Sequence, residues 1–266
     1  MTLNLTDRVL VLRSTPANRV SKNGFVWPES GPVECPDWEP TKKCGNGLHG
    51  LLWGEGNVEL LCLSEDAVFQ VVSVPTDSIV DLKTKVKFPE GEVIFSGDRF
   101  EAGSLISKHA PKGARVTFGR ATAGDRGMAT AGYRGTATAG DRGTATAGIG
   151  GTATAGYRGT ATAGDRGTAT AGIGGTATAG DWGTATAGDW GTATAGIGGT
   201  ATAGDWGTAT AGDDGTATAG DGGVLVIEFY DGTKYRKRCA EVDGEKIKAN
   251  VAYRLNDQGE FVEATK

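Results

Sequence analysis

A chain of 266 residues has room for two ordinary domains, or for one domain and a repeat array, and its 45 glycines, crowded toward the middle with most of the Thr and Ala, select the array. A net charge of −5 and an isoelectric point near 5.2 exclude an electrostatic case for nucleic acid or an anionic membrane as partner. No apolar run approaches the ~20 residues of a membrane span, no basic-then-apolar signal opens the sequence, and Cys35, Cys44, Cys62 and Cys239 are too irregularly spaced for a disulfide framework, so the expected location is a cytoplasm.

Residues 1–118 form a non-repetitive head that holds most of the large apolar side chains. Short strands are predicted over 8–13, 24–27, 51–53, 67–74, 79–82 and 92–95, separated by turn signals such as Glu-Ser-Gly, Gly-Asn-Gly and Pro-Glu-Gly. One helix is predicted over 100–108. The class expected of the head is α+β with strand in excess.

From Gly119 to Gly222 run thirteen tandem octapeptides in the register Gly-Thr-Ala-Thr-Ala-Gly-x-x, with departures at Arg120 and Met128. Thr-Ala-Thr-Ala has strand periodicity, which puts both Ala on one face and both Thr on the other. Gly-x-x-Gly is a corner, with glycine supplying the positive φ that a sharp turn demands. No octad can bury a face alone, so neighbours must stack into a β-solenoid.

Two stacking schemes compete. The variable pairs recur at every third octad, with Ile149-Gly150, Ile173-Gly174 and Ile197-Gly198 lying 24 residues apart, as if three strands made a triangular coil. Alanine at both inward positions cannot fill a triangle with sides of roughly 17 Å, whereas two sheets in contact through Ala leave no void. The flat two-sheet form, with 16-residue coils of two octads each, is therefore preferred, and duplication of a 24-residue gene segment accounts for the period of three. The array then makes about six and a half coils, roughly 30 Å long.

Residues 223–266 leave the repeat. Strands predicted over 224–230, 233–238, 246–255 and 260–264 read as a small β-meander, and head and tail supply the caps that a solenoid's unpaired ends require.

The array resembles the repeat domains of bacterial ice nucleation proteins, whose 16-residue units also carry Thr-x-Thr, Ala-Gly and often a Gly-Tyr corner. The matching text is Gly132-Tyr133-Arg134-Gly135-Thr136-Ala137-Thr138-Ala139-Gly140. Members of that family run to dozens of coils, have Ser where this chain has Gly before the first Thr, and carry continuous Tyr files where this chain has only Tyr133 and Tyr157. The resemblance implies a non-catalytic scaffold whose threonines face ice or ordered water. The candidate mesh comprises Thr136, Thr138, Thr144, Thr146, Thr152, Thr154, Thr160, Thr162, Thr168 and Thr170, continuing through Thr176, Thr178, Thr184, Thr186, Thr192, Thr194, Thr200, Thr202, Thr208 and Thr210. Its spacings are ~7 Å along a strand and ~4.8 Å between coils. A plainer role for the same threonines is to keep an outward strand face soluble.

The corners change along the array. Arg126, Arg134, Arg142, Arg158 and Arg166 occupy the first half; Trp182, Trp190 and Trp206 occupy the second, where Asp is the only charged residue. Tyr133, Tyr157 and the three tryptophans are candidates for an edge that docks a protein partner or a second copy of the chain. The alternative is that the rings pack over neighbouring coils and shield the backbone.

The head offers weaker chemistry. Cys35, Cys44, His49 and Cys62 are the right residue types for a Cys₃His zinc site, but lack a Cys-x2–4-Cys knuckle; buried thiols are the alternative, and no cofactor is expected. Gly47–Glu55 loosely resembles the nicotinamide-cradling strands of ADP-ribosyltransferases, with Arg13, Ser14 and Glu55 as nominal site residues; His109 is read as a loop residue. Through Cys44-Gly45-Asn46-Gly47-Leu48-His49 and the following strand at 69–74, the head resembles an uncharacterised domain that precedes such octads in proteins of phages infecting actinobacteria. That resemblance implies an accessory or structural protein with the array as spacer or oligomerisation rod, and it brings no activity with it.

Overall fold

The computed structural model describes residues 5–264, and the chain divides into two units, Met1–Arg120 and Ala121–Lys266. The first unit is built on β1 (Arg8–Thr15), β2 (Gly31–Glu34), β3 (Leu48–Leu52), β4 (Val68–Pro75), β5 (Val80–Asp81), β6 (Val86–Phe88), β7 (Glu90–Gly97) and α1 (Arg99–Ser107). The strands make one antiparallel sheet in the order β2-β7-β4-β1-β3-β6-β5. Leu10, Val11 and Leu12 on central β1 are all 0 % exposed, so the sheet is covered on both faces. Val11, Val72 and Phe88 pack with Trp27 on one side. The helix starts where the Asp98 side chain accepts the N–H groups of Phe100 and Glu101, and it buries Ala102 and Ile106.

The strand predicted over 24–27 is only an isolated Val20–Val26 bridge, because a tight turn at Gly24 (φ 83°) leaves no room for a ladder. Two strands escaped prediction. Pro32 in β2 is tolerated because β2 is an edge strand, and the Lys87 of β6 breaks the apolar pattern yet is fully buried.

The second unit is a flat solenoid of two stacked parallel sheets. As far as Thr208–Ala211, each repeat strand pairs with the strand sixteen residues on: Thr136–Ala139 lies in register against Thr152–Ala155, and Thr144–Ala147 against Thr160–Ala163. Two octads therefore make one coil. The triangular alternative fails for the reason the alanines gave: from Ala137 to Ala217 every inward Ala is at most 3 % exposed, which only sheets in close contact allow.

The tail does not form a separate meander; its strands are shared between the two sheets. Val224–Tyr230 adds in parallel to Thr208–Ala211 and then pairs antiparallel with Tyr235–Glu241. Tyr253–Leu255 meets the other sheet through Ala217 and pairs with Phe261–Glu263. Leu225, Ile227, Val242, Ile247 and Tyr253 continue the alanine core with larger side chains, which closes it. The strand predicted over 246–255 shrinks because the Asp243 carboxylate accepts the N–H groups of Glu245, Lys246 and Ile247 and turns the chain there. The outer strand Tyr235–Glu241 is exposed and carries Arg236, Lys237 and Arg238, charges that discourage further strand pairing at that edge.

Candidate functional site

Parallel in-register pairing converts the repeat into four files of threonine. On the first sheet Thr136, Thr152, Thr168, Thr184 and Thr200 form one file, and Thr138, Thr154, Thr170, Thr186 and Thr202 the next. On the second sheet the files are Thr144 to Thr208 and Thr146 to Thr210. From Thr152 to Thr200 the first Thr of each pair is exposed and the second half-buried. Thr216 and Thr218 extend the first sheet's files by another coil; the same octad text marked them, but the sequence reading stopped at Thr210. On the second sheet Met128 ends the file of Thr144, Thr130 extends the file of Thr146, which the sequence reading also left out, and Val224 and Val226 close both files at the other end.

The corners revise the role of glycine. Each is a four-residue turn closed by its last N–H on its first carbonyl, as from Gly143 to Gly140 at 3.1 Å. Positive φ falls on the third residue, with values between 49° and 59° at the corner arginines and tryptophans. The flanking glycines serve a different purpose, the close approach of stacked coils. A Cβ on Gly148 would lie 2.8 Å from the Gly132 carbonyl, and one on Gly159 would lie 3.0 Å from the Gly143 carbonyl, each a coil away.

The aspartates at the second corner position form a ladder that the sequence reading missed. The Asp141 carboxylate accepts the Tyr157 N–H of the next coil at 2.9 Å, and Asp181, Asp189 and Asp205 treat Ile197, Asp205 and Asp221 alike. Asp at every non-Ile, non-Tyr corner was the available signal. The 24-residue period also has a structural counterpart. Gly150, Gly174, Gly198 and Gly222 lie one coil beyond Arg134, Arg158, Trp182 and Trp206, and each receives that long side chain against its bare backbone. The tryptophans thus pack on neighbouring coils, and Trp190 stacks on Trp206 with centroids 5.7 Å apart. They nevertheless remain 58–67 % exposed. Tyr133 and Tyr157 sit beneath the guanidinium groups of Arg134 and Arg158.

In the head the zinc candidates do not converge, and among the described residues no three His, Cys, Asp or Glu side chains are placed to share a metal. Buried Cys35 bonds to Asp37, Cys44 takes the Lys85 ammonium at 3.1 Å, and Cys62 lies beside Ser64. His49 is half-buried and its pKa is pushed down to about 4 by burial first, then by Lys85 and Lys87. Arg13, Ser14 and Glu55 are not brought to one point. The Ser14 hydroxyl is occupied with the Cys62 backbone, the Arg13 guanidinium stacks on Trp27, and the Glu55 carboxylate accepts the Arg115 N–H.

No protein-family profile and no solved structure matches the chain. Curated proteins do. Ice nucleation protein InaU of Pantoea ananas is 40 % identical over 105 residues, 39 % of this chain and 10 % of the relative. An ice nucleation protein of Pseudomonas syringae is 42 % identical over 103 residues, 38 % of this chain and 9 % of the relative. InaA of Pantoea ananas is 37 % identical over 136 residues, 46 % of this chain and 10 % of the relative. The chain spans about a tenth of the length of these relatives. They lend no support to the phage resemblance of the head. What they do carry is the likeness of the octapeptide solenoid to the repeat regions of ice nucleation proteins.

Proposed function

We propose that the solenoid is a non-catalytic scaffold whose threonine faces order water and bind ice. The observation that carries this reading is the unbroken register of Thr against Thr from coil to coil. Backbone ladders hold each hydroxyl and methyl at ~4.8 Å from the next, so bound water meets a fixed lattice in place of mobile side chains. The alanine core leaves the sheets no freedom to breathe, which keeps that lattice flat. A mesh only roughly 30 Å long favours adsorption to ice over nucleation of it.

The test is partition into slowly growing ice. The protein is expected to concentrate in the solid, and Thr184→Lys with Thr186→Lys to abolish that enrichment while the β circular dichroism is kept. Exclusion of the parent protein from ice would sink the proposal. A second reading rests on the exposed rings of Trp182, Trp190 and Trp206, which suit a docking edge for a protein partner. It predicts that Trp→Ala at these positions abolishes partner binding and leaves ice partition unchanged.

A further inference from the structure

The head contains a buried cation without a counter-charge. Arg13 is 7 % exposed, and its guanidinium carbon lies 3.2 Å from the centre of the Trp27 ring. None of the three ion pairs among the described residues includes it. Directly across the sheet, β4 places Gln70 opposite Arg13, and Thr15 shares the face two residues along β1. Gln70 is 0 % and Thr15 1 % exposed. Arg13 Nε, Thr15 Oγ1 and Gln70 Oε1 are all shut from solvent without a hydrogen-bond partner. The amide orientation is fixed, since Gln70 Nε2 donates to the Pro28 carbonyl at 2.7 Å and to Ser96 Oγ at 2.9 Å, leaving Oε1 as an acceptor.

Buried polar groups are normally paired, and a buried charge left alone is among the costlier features a fold can carry. Three such atoms on one patch of sheet are a set: a cationic donor, a hydroxyl and an acceptor. A ligand complementary to the set has an oxyanion for the guanidinium and a hydroxyl or N–H for the amide oxygen.

We propose that Arg13, Thr15 and Gln70 form a binding site for a small ligand that carries a carboxylate or phosphate group and a hydrogen-bond donor, the anion on Arg13 and the donor on Gln70 Oε1. Arg13 is suited to this because a guanidinium stacked on an indole keeps its in-plane N–H groups free for oxygen.

The experiment follows the Arg13 Nε–H resonance of the full ¹⁵N-labelled chain, identified by its absence in Arg13→Lys. Inorganic phosphate, acetate and glycolate are titrated at constant ionic strength against sodium chloride. A saturable shift is expected with phosphate or with the carboxylates, and which of them acts identifies the anion. Glycolate, which has the hydroxyl that acetate lacks, is expected to bind about 5-fold more tightly. In Gln70→Glu a carboxylate stands opposite Arg13, and the response should be lost. Thr15→Val folds with no buried hydroxyl and should weaken binding several-fold. Movement no greater than that in chloride would overturn the proposal and leave the cluster to water alone. A saturable shift that persists in Gln70→Glu would overturn it as well, since the anion would then sit elsewhere.

Discussion

Replacing Asp141 by Ala removes the acceptor of the Tyr157 N–H, a bond of 2.9 Å between adjacent coils, and leaves the backbone ladders of the strands intact. A carboxylate-to-amide bond is worth up to about 3 kcal/mol when shielded, but this one is exposed and competes with water. The closest measured analogue, an Asp side chain lost from a helix N-cap, costs about 1 kcal/mol. That corresponds to an increase of about 5-fold in the opening of this one amide. Global unfolding is a poor assay here, because in a repeat array stability is a sum over neighbours and one corner is diluted. Amide hydrogen exchange resolves it. Tyr157 should exchange about 5-fold faster in Asp141→Ala and within about 2-fold of the parent in Asp141→Asn, which keeps an acceptor oxygen. The Ile173 amide, one coil further along the same edge below a tyrosine corner, is the internal control and should not change. Equal exchange of Tyr157 in parent and variant, or a uniform rise over all corner amides, would refute the reasoning.

Ala169→Val should cost about 1–3 kcal/mol in denaturant unfolding, since Ala169 is 0 % exposed between sheets with no spare volume. Thr170→Val, on the outer face, should stay within about 0.5 kcal/mol; a neutral Ala169→Val would mean that the sheets are not in contact. Gly198→Ala puts a methyl 2.6 Å from the Trp182 ring at a φ of 62°, so Trp182 should leave its seat. A red-shifted Trp emission that vanishes in a Trp182→Phe background is the expected reading, and unchanged emission would contradict it. Burial pushes His49 down from the ordinary 6.5 to about 4 in the folded chain, so between those values the unfolded chain binds the extra proton. Its contribution is present above about 6.5 and is lost as pH falls toward 4. Melting of the protein between pH 4 and 7 should be less pH-dependent in His49→Gln, and an identical slope in both would exclude His49 as the cause.

The solenoid was legible in the sequence because its rule is local and repeated. Strict alternation of Thr and Ala assigns faces by the period of the strand, and the small volume of Ala admits a single sheet separation. Volume, not the eye-catching 24-residue recurrence, decided two octads per coil. Only the tertiary structure revealed what lies sixteen residues away. The Asp141 cap on Tyr157, the seat of Trp182 on Gly198, and the need for glycine at Gly148 all depend on the coil above or below. Within a single octad such glycines look like turn-formers, yet at the Arg, Trp and Asp214 corners the positive φ belongs to that residue, and among the corners glycine carries it at Gly150, Gly174, Gly198 and Gly222. The head was less legible for the same reason in a stronger form. Lys87 and Arg13 are buried against the usual pattern, and the cross-strand partners that make Arg13 an unpaired buried cation are 57 residues apart in the pairing of Arg13 with Gln70. Composition and periodicity report on neighbours along the chain, whereas burial and hydrogen-bond pairing of that kind exist only once distant strands have met.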